Sequence, residues 1–111
     1  MKLVIIESPY AGDIERNVEY ARTCMADSLA RGEAPFASHL IYTQPGILRD
    51  EIPGERELGI NAGFAWGKAA ELTAVYEDLG YSRGMRAGIE AAKEAGRPIE
   101  YRKIGLHHLK K

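Results

Sequence analysis

Leu3-Val4-Ile5-Ile6, near the start of the chain, is a continuous apolar run rich in β-branched residues. Such a run is typical of a buried strand in a parallel sheet, where helices cover both faces. Pro9 and Gly12 follow as turn signals, and apolar residues then recur at helical spacing over residues 14–29. A buried strand, a loop and a helix in this order indicate an α/β fold.

The rest of the chain repeats this alternation. The predicted elements are a strand over residues 35–42, a polar loop over 43–54, a helix over 55–70, a strand over 72–76, a helix over 83–95 and a strand from 99–101. Strands that alternate with helices imply right-handed crossovers and a parallel sheet covered on both faces. We therefore predict a three-layer α/β fold with about four parallel strands. Residues 106–111 are expected to fray.

The composition limits the classes of function. The 111 residues correspond to one domain, which we take as residues 1–111. Fifteen Lys and Arg nearly balance 16 Asp and Glu, which argues against a nucleic-acid polymer or an anionic membrane as partner. The single cysteine, Cys24, excludes an internal disulfide, and no Cys/His spacing suggests zinc. No apolar run suits a signal or transmembrane helix, so we expect a soluble protein. The single cysteine fits a reducing cytoplasm, and we expect neither a metal nor a cofactor.

Polar segments follow three predicted strands, over residues 7–13, 39–50 and 77–85. Ligands bind beyond the carboxyl ends of the strands in an open parallel sheet, so these segments are expected to line one pocket. The first segment lacks both the G-x-G-x-x-G and the G-x-x-x-x-G-K-[ST] pattern. Neither a Rossmann dinucleotide site nor a P-loop is therefore predicted.

Several of these polar residues admit two interpretations. Asp13 could bind a sugar hydroxyl, but its position before an apolar-periodic run favours an N-cap. Ser82 could hold a phosphate at a helix start, but serine more often caps the helix itself. His39 could face the pocket, although a lone histidine is more often packed or at the surface. Arg56 is a candidate anion contact, with a solvated helix face as the alternative.

Gly59, Gly63 and Gly67 repeat at every fourth residue of one predicted helix. Each costs up to about 1 kcal/mol of helix propensity relative to alanine, so the stripe suggests that another group approaches the helix closely. With Phe64 and Trp66 beside it, the stripe could form the contact of a homo-oligomer. The alternative is that it packs against the chain's own sheet.

Short motifs occur in a characteristic order along residues 2–102. They are Ser8-Pro9-Tyr10-Ala11-Gly12-Asp13 with Asn17, Ala37-Ser38-His39-Leu40, Pro53-x-Glu55-Arg56-x-x-Gly59, Ser82-x-Gly84-Met85 and Gly96-x-Pro98. Their order resembles the nucleoside 2-deoxyribosyltransferase-like superfamily, and more closely a small subfamily encoded by bacteriophages and bacteria. The resemblance implies a flavodoxin- or Rossmann-like sheet, a homodimer or larger oligomer, and cleavage or exchange of the N-glycosidic bond of deoxynucleosides or their monophosphates.

The resemblance also implies site residues. The first loop would contact the nucleoside or its sugar, and Ser82 would line the pocket for the 5′-hydroxyl or phosphate. The implied substrate-binding residues are Ser8, Pro9, Tyr10, Gly12, Asp13, His39, Arg56, Ser82, Gly84 and Met85. Glu71 resembles the acid that often precedes the third strand. Asp78 resembles an aspartate on the base or sugar side.

The superfamily's nucleophile is a glutamate six positions after the pocket serine, and that position is Gly88 in this chain. The carboxylate attacks C1′ or stabilises an oxocarbenium-like centre, and glycine can do neither. Glu90 points about 200° around the helix from Gly88, so it cannot take over the role. The possible replacements are Asp78, Glu77, Asp50 and Glu55. Of these we take Asp78 and Glu55 as the candidate catalytic residues.

Three functions stay open at this point. The chain could be a divergent nucleoside deoxyribosyltransferase or deoxynucleotide N-glycosidase that uses another acid. It could be a non-catalytic binder that sequesters a nucleotide, including a signalling nucleotide made in antiviral defence. It could also be an interaction domain of a homo-oligomer. The first two predict a small-molecule nucleoside or nucleotide as partner, and only the first predicts release of free base.

Overall fold

Residues 1–105 are described by the computed structural model. Its four strands are β1 (Leu3–Glu7), β2 (Ala34–Phe36), β3 (Leu72–Tyr76) and β4 (Ile99–Arg102). They form one sheet in the order β2-β1-β3-β4, and every neighbouring pair is parallel. The predicted α/β fold with four parallel strands is thus confirmed. The expected fraying of residues 106–111 lies outside the described residues.

Four helices connect or flank the strands: α1 (Ile14–Ala30), α2 (Ser38–Ile41), α3 (Pro53–Gly67) and α4 (Arg83–Glu94). Three of them match predicted helices closely, because helical periodicity and stop signals agree there. Within residues 1–105, no helix combines the length and the apolar character needed to cross a membrane.

The second predicted strand is wrong in its extent. The strand β2 ends at Phe36, and the next residues turn into α2, where the amides of Leu40 and Ile41 both donate to the carbonyl of Ala37. The strand lies at the edge of the sheet and pairs only with β1. A helical turn lets Leu40 pack against the core, which a continued edge strand would not achieve.

The two faces of the sheet differ in how they are covered. Val4 and Ile6 of β1 are each 1 % exposed and pack with Tyr20 and Cys24 of α1 in the main core cluster. A smaller cluster joins Val75 of β3 to residues of α4 on the other face. Side chains alternate along a strand, so Ile5 and Glu7 of β1 lie on this second face. A large cavity opens on that side.

Candidate functional site

A cavity of about 500 Å³ lies between α3 and α4, above the second face of the sheet. Ile5 and Glu7 of β1 and Phe36 of β2 contribute to its lining from the sheet. The loop after β1 and the start of α4 border the cavity at the carboxyl edge of the sheet, through Tyr10 and Ser82. This is the edge at which parallel α/β sheets bind ligands.

The carboxyl group of Glu7 reaches from the sheet to the backbone of α4 at Gly88. A Cβ atom at residue 88 would lie 2.7 Å from Glu7 Oε1 and closer still to Oε2, so any side chain there would overlap the carboxyl group. Gly88 therefore leaves the space that Glu7 occupies. Sequence reasoning named Glu7 only as the first residue of a polar loop. The signal that pointed toward it was the glycine at a position where the resemblance expects a carboxylate.

Burial raises the pKa of Glu7 to about 8, against the opposing effect of the positive charge on Arg97. The carboxyl group is therefore mostly protonated at neutral pH. It makes no hydrogen bond to any group within residues 1–105, although it lines the cavity. A neutral carboxylic acid of this kind can donate a proton or a hydrogen bond to a ligand.

Ser8 and His39 meet at the same cavity. The Oγ atom of Ser8 lies 2.6 Å from Nε2 of His39, and Ser8 is buried. Burial lowers the pKa of His39 to about 4, so the imidazole is neutral at neutral pH. A neutral imidazole can either accept or donate in this hydrogen bond, which fixes α2 against the end of β1.

Most of the expected binding residues line this cavity. They are Ser8, Tyr10, His39, Arg56, Ser82, Gly84 and Met85. The structure places Pro9 and Asp13 in a neighbouring hollow with Asp78, and Gly12 borders a third hollow. The loop that follows β1 thus separates the expected binding residues into those that line the cavity and those that face the neighbouring hollows.

Asp13 and Ser82 both cap helices. Asp13 Oδ1 accepts from the amide of Arg16 at 3.2 Å, and Ser82 Oγ accepts from the amide of Met85 at 3.1 Å. The Met85 sulfur in turn accepts from the amide of Ser82 at 3.4 Å. The N-cap interpretation is thus confirmed for both residues. Ser82 still borders the cavity.

The two candidate catalytic acids lie outside the cavity. The Asp78 carboxylate accepts hydrogen bonds from the Tyr20 hydroxyl at 2.6 Å and from the amides of Ile104 and Gly105 at 3.0 and 2.8 Å. Although burial opposes them, these bonds hold the pKa of Asp78 below its usual value. The carboxylate therefore ties the end of β3 to the chain after β4.

Glu55 has a similar structural role. It accepts from the backbone amide of Arg49 at 2.7 Å and from its guanidinium at 3.0 Å, which lowers the pKa of Glu55. Of the other proposed replacements, Glu77 binds the Tyr81 hydroxyl at 2.6 Å, whereas Asp50 does line the cavity, 3.9 Å from Arg56. The acid beside Gly88 is Glu7, so Glu7 replaces Asp78 and Glu55 as the candidate acid of the cavity.

The glycine stripe of α3 packs against the chain itself. Added Cβ atoms would lie 3.1 Å from Leu48 Cδ1 at Gly59 and 2.6 Å from Ser38 Oγ at Gly63. At Gly67 the neighbour is the Arg97 guanidinium, 3.4 Å away. These neighbours belong to α2 and to two loops rather than to the sheet. The three glycines thus pack against this chain's own residues, and the homo-oligomer stays a prediction.

No cluster of three or more His, Cys, Asp or Glu side chains in residues 1–105 could hold a metal ion. The polar side chains that line the cavity include Glu7, the Ser8–His39 pair and four basic residues.

The family model of a domain of unknown function, DUF7768, matches residues 2–102. The chain belongs to this family. No curated protein matches this DUF7768 chain. A solved 2-deoxyribosyltransferase from the psychrotolerant bacterium Bacillus psychrosaccharolyticus is similar, with a TM-score of 0.63 and 17 % identity over 95 % of this chain and 78 % of that one. The resemblance is thus confirmed at the level of the α/β fold, and the closer likeness to phage-encoded proteins stays a prediction.

Proposed function

We propose that this DUF7768 protein binds a deoxynucleotide in the cavity and that Glu7 is the acid that acts on it. The observation that carries the proposal is the contact between the Glu7 carboxyl group and Gly88. Gly88 is where the superfamily resemblance expects the catalytic glutamate. A carboxyl group is therefore available at nearly the same place, supplied by β1 instead of α4.

The protonation state of Glu7 favours general acid chemistry. A protonated carboxyl group can pass its proton to a nitrogen of the departing base while the N-glycosidic bond breaks. Water then adds to C1′, and the proton it loses restores the Glu7 acid. The same protonated group is a poor nucleophile, so a covalent deoxyribosyl intermediate is disfavoured at neutral pH. The protonated state of Glu7 thus favours hydrolysis of the N-glycosidic bond over transfer of the deoxyribosyl group.

The charges around the cavity favour a monophosphate over an uncharged nucleoside. Four basic side chains line it, from Arg56, Lys68, Arg83 and Arg97. The acidic side chains are Asp50, Glu94 and Glu7, and Glu7 is mostly neutral at pH 7 because of its raised pKa. An excess of positive charge in a concave site attracts an anionic ligand.

A non-catalytic binder is the second candidate. The observation that favours it is again the protonated state of Glu7, because a neutral carboxyl group can hydrogen-bond a base without cleaving anything. Such a protein would sequester its nucleotide. Whether such a nucleotide takes part in antiviral signalling is a further part of this second proposal.

The test combines binding with product analysis. The protein is incubated with deoxynucleosides and their 5′-monophosphates, its melting temperature is recorded, and free base is measured by chromatography. A ligand at 100 times its Kd should stabilise the native state by about 2.7 kcal/mol. Glu7→Gln should lower base release at least about 100-fold, since general acids contribute roughly 10²–10⁴.

The matched control is Glu90→Gln, which changes an exposed glutamate on the same helix as Gly88. It should alter neither binding nor base release. Binding without release of base would support the sequestering protein over the hydrolase. If no nucleotide raises the melting temperature, both functions are excluded.

A further inference from the structure

The cavity extends along nearly the whole of α4. Its lining from this helix and its C-terminal end includes four small residues at three- and four-residue spacing, which places them on one face: Gly84, Gly88, Ala91 and Ala95. Arg83, Met85 and Glu94 line the cavity as well. At 1.5 Å per residue, eleven residues correspond to about 16 Å. The cavity is therefore a groove that runs from the carboxyl edge of the sheet toward its amino edge.

The middle of this groove is largely apolar. Ile60 and Phe64 of α3 form one wall and are 36 % and 40 % exposed. Ile5 and Phe36 line it from the sheet. An exposed aromatic ring beside aliphatic side chains can pack against the flat face of a nucleobase.

The far end of the groove, at the C-terminal ends of α3 and α4, carries Lys68 and Arg97. The Arg97 side chain is held in place by two hydrogen bonds, from Nε to Thr73 Oγ1 at 2.9 Å and from Nη1 to the carbonyl of Gly67 at 2.7 Å. A guanidinium has five N–H donors, so three remain for a ligand. Glu94 is the acid at this end, which leaves one positive charge in excess.

The near end has a similar charge balance. Arg56 and Arg83 line it, and Asp50 lies 3.9 Å from the Arg56 guanidinium. Positive charge is thus in excess at both ends of the groove, with an apolar stretch and the single acid Glu7 between them.

We propose that the groove takes a nucleotide with two separated phosphates, as in a dinucleotide, and that Lys68 and Arg97 bind the second phosphate. This inference rests on the proposed nucleotide-binding function. A mononucleotide carries its phosphate at one end only, so it leaves the cations at the other end of the groove without a ligand. Two phosphates on either side of a nucleoside match the two basic ends and the apolar middle.

The test compares two probes by calorimetry on the full chain. The probes are dAMP and the 5′-phosphorylated dinucleotide pdApdA. We expect pdApdA to bind at least about tenfold more tightly, since one charge-assisted contact corresponds to roughly that factor. Lys68→Glu should remove this advantage, because it should lower the affinity for pdApdA about tenfold more than the affinity for dAMP. Lys68 is exposed, so the variant should fold.

Lys93→Glu is the control, because Lys93 is exposed on α4 and lies outside the groove lining. It makes the same charge change and should preserve the advantage of pdApdA. Equal affinity for both probes, or equal losses with Lys68→Glu, would overturn the second subsite while leaving the proposed function standing. Failure of both probes to bind would overturn the proposed function as well. A dimer in light scattering that binds dAMP but not pdApdA would show that a second copy closes the groove, which also overturns the inference.

Discussion

The two faces of strand β1 have different roles. Val4 and Ile6 point into a closed core beneath α1, whereas Ile5 and Glu7 point into the open groove between α3 and α4. The difference comes from the helices: α1 lies along the sheet, while α3 rests against α2 and leaves the sheet partly uncovered. The same short strand therefore supplies stability through one face and a candidate site through the other.

Ile6→Ala against Ile5→Ala is the most direct test of this difference. Ile6 is 1 % exposed, so truncation should lower the free energy of unfolding by about 2–5 kcal/mol. Ile5 borders the groove, so the same truncation there should cost about half as much or less. Urea denaturation of both variants measures the two values. Equal losses would mean that the second face is as closely packed as the first.

The groove face should also give stability an unusual pH dependence. The pKa of Glu7 is raised from 4.5 to about 8, so the folded state holds more protons than the unfolded state between these values. Unfolding free energy then falls as pH rises through this window. His39 acts oppositely, because its pKa falls from 6.5 to about 4 and stability rises with pH between those values. The two effects on stability oppose each other below pH 6.5, and only the effect of Glu7 remains above pH 6.5.

We therefore expect stability to decline between pH 6.5 and 8. A group that is ionised only in the unfolded state changes the free energy of unfolding by about 1.4 kcal/mol for each pH unit. Glu7→Gln has no such group at position 7. Relative to the unsubstituted protein, its free energy of unfolding should therefore rise by on the order of 2 kcal/mol between pH 6.5 and pH 8. Denaturation curves across this range provide the measurement. An unchanged decline in Glu7→Gln would place its origin in another group.

Asp78 should behave as a structural residue. Asp78→Asn keeps one carbonyl acceptor but removes the ionised acceptor that holds Tyr20, Ile104 and Gly105. Hydrogen bonds to charged groups contribute about 1.5–3 kcal/mol, so we expect a loss of about 1–2 kcal/mol. Nucleotide binding in the groove should be preserved. A full loss of binding in a folded Asp78→Asn protein would mean that Asp78 takes part in nucleotide binding.

The sequence was sufficient for the sheet because β1 and β3 are short apolar runs whose signal is local. It failed at α2, since an edge strand and a helical turn with the same apolar residues differ only in what they pack against. Most of the expected binding residues line the cavity because they follow strands that end at its edge. Glu7 was not predicted as a site residue because its proposed role depends on a contact with Gly88, 81 residues later. Sequence periodicity cannot show that a glycine makes room for a side chain from another element.

Gly88→Ala tests that contact and should have the smallest effect on stability. Alanine gains up to about 1 kcal/mol of helix propensity, but its Cβ overlaps the Glu7 carboxyl group, which must then rotate away. We expect the two effects to cancel nearly, while base release or nucleotide affinity falls. Gly84→Ala is the stability control, since its Cβ would meet nothing closer than Ser82 Oγ at 3.9 Å.

The decisive comparison is a double-mutant cycle with Glu7→Ala. Without the Glu7 carboxyl group, Gly88→Ala should show the full helix gain, so the two substitutions should couple by at least about 0.5 kcal/mol. Gly84→Ala should give the same stability change with either residue at position 7. If Gly88→Ala also had equal effects in both backgrounds, the carboxyl group would not occupy the space above Gly88 in solution, and the acid of the proposed site would have to be sought elsewhere.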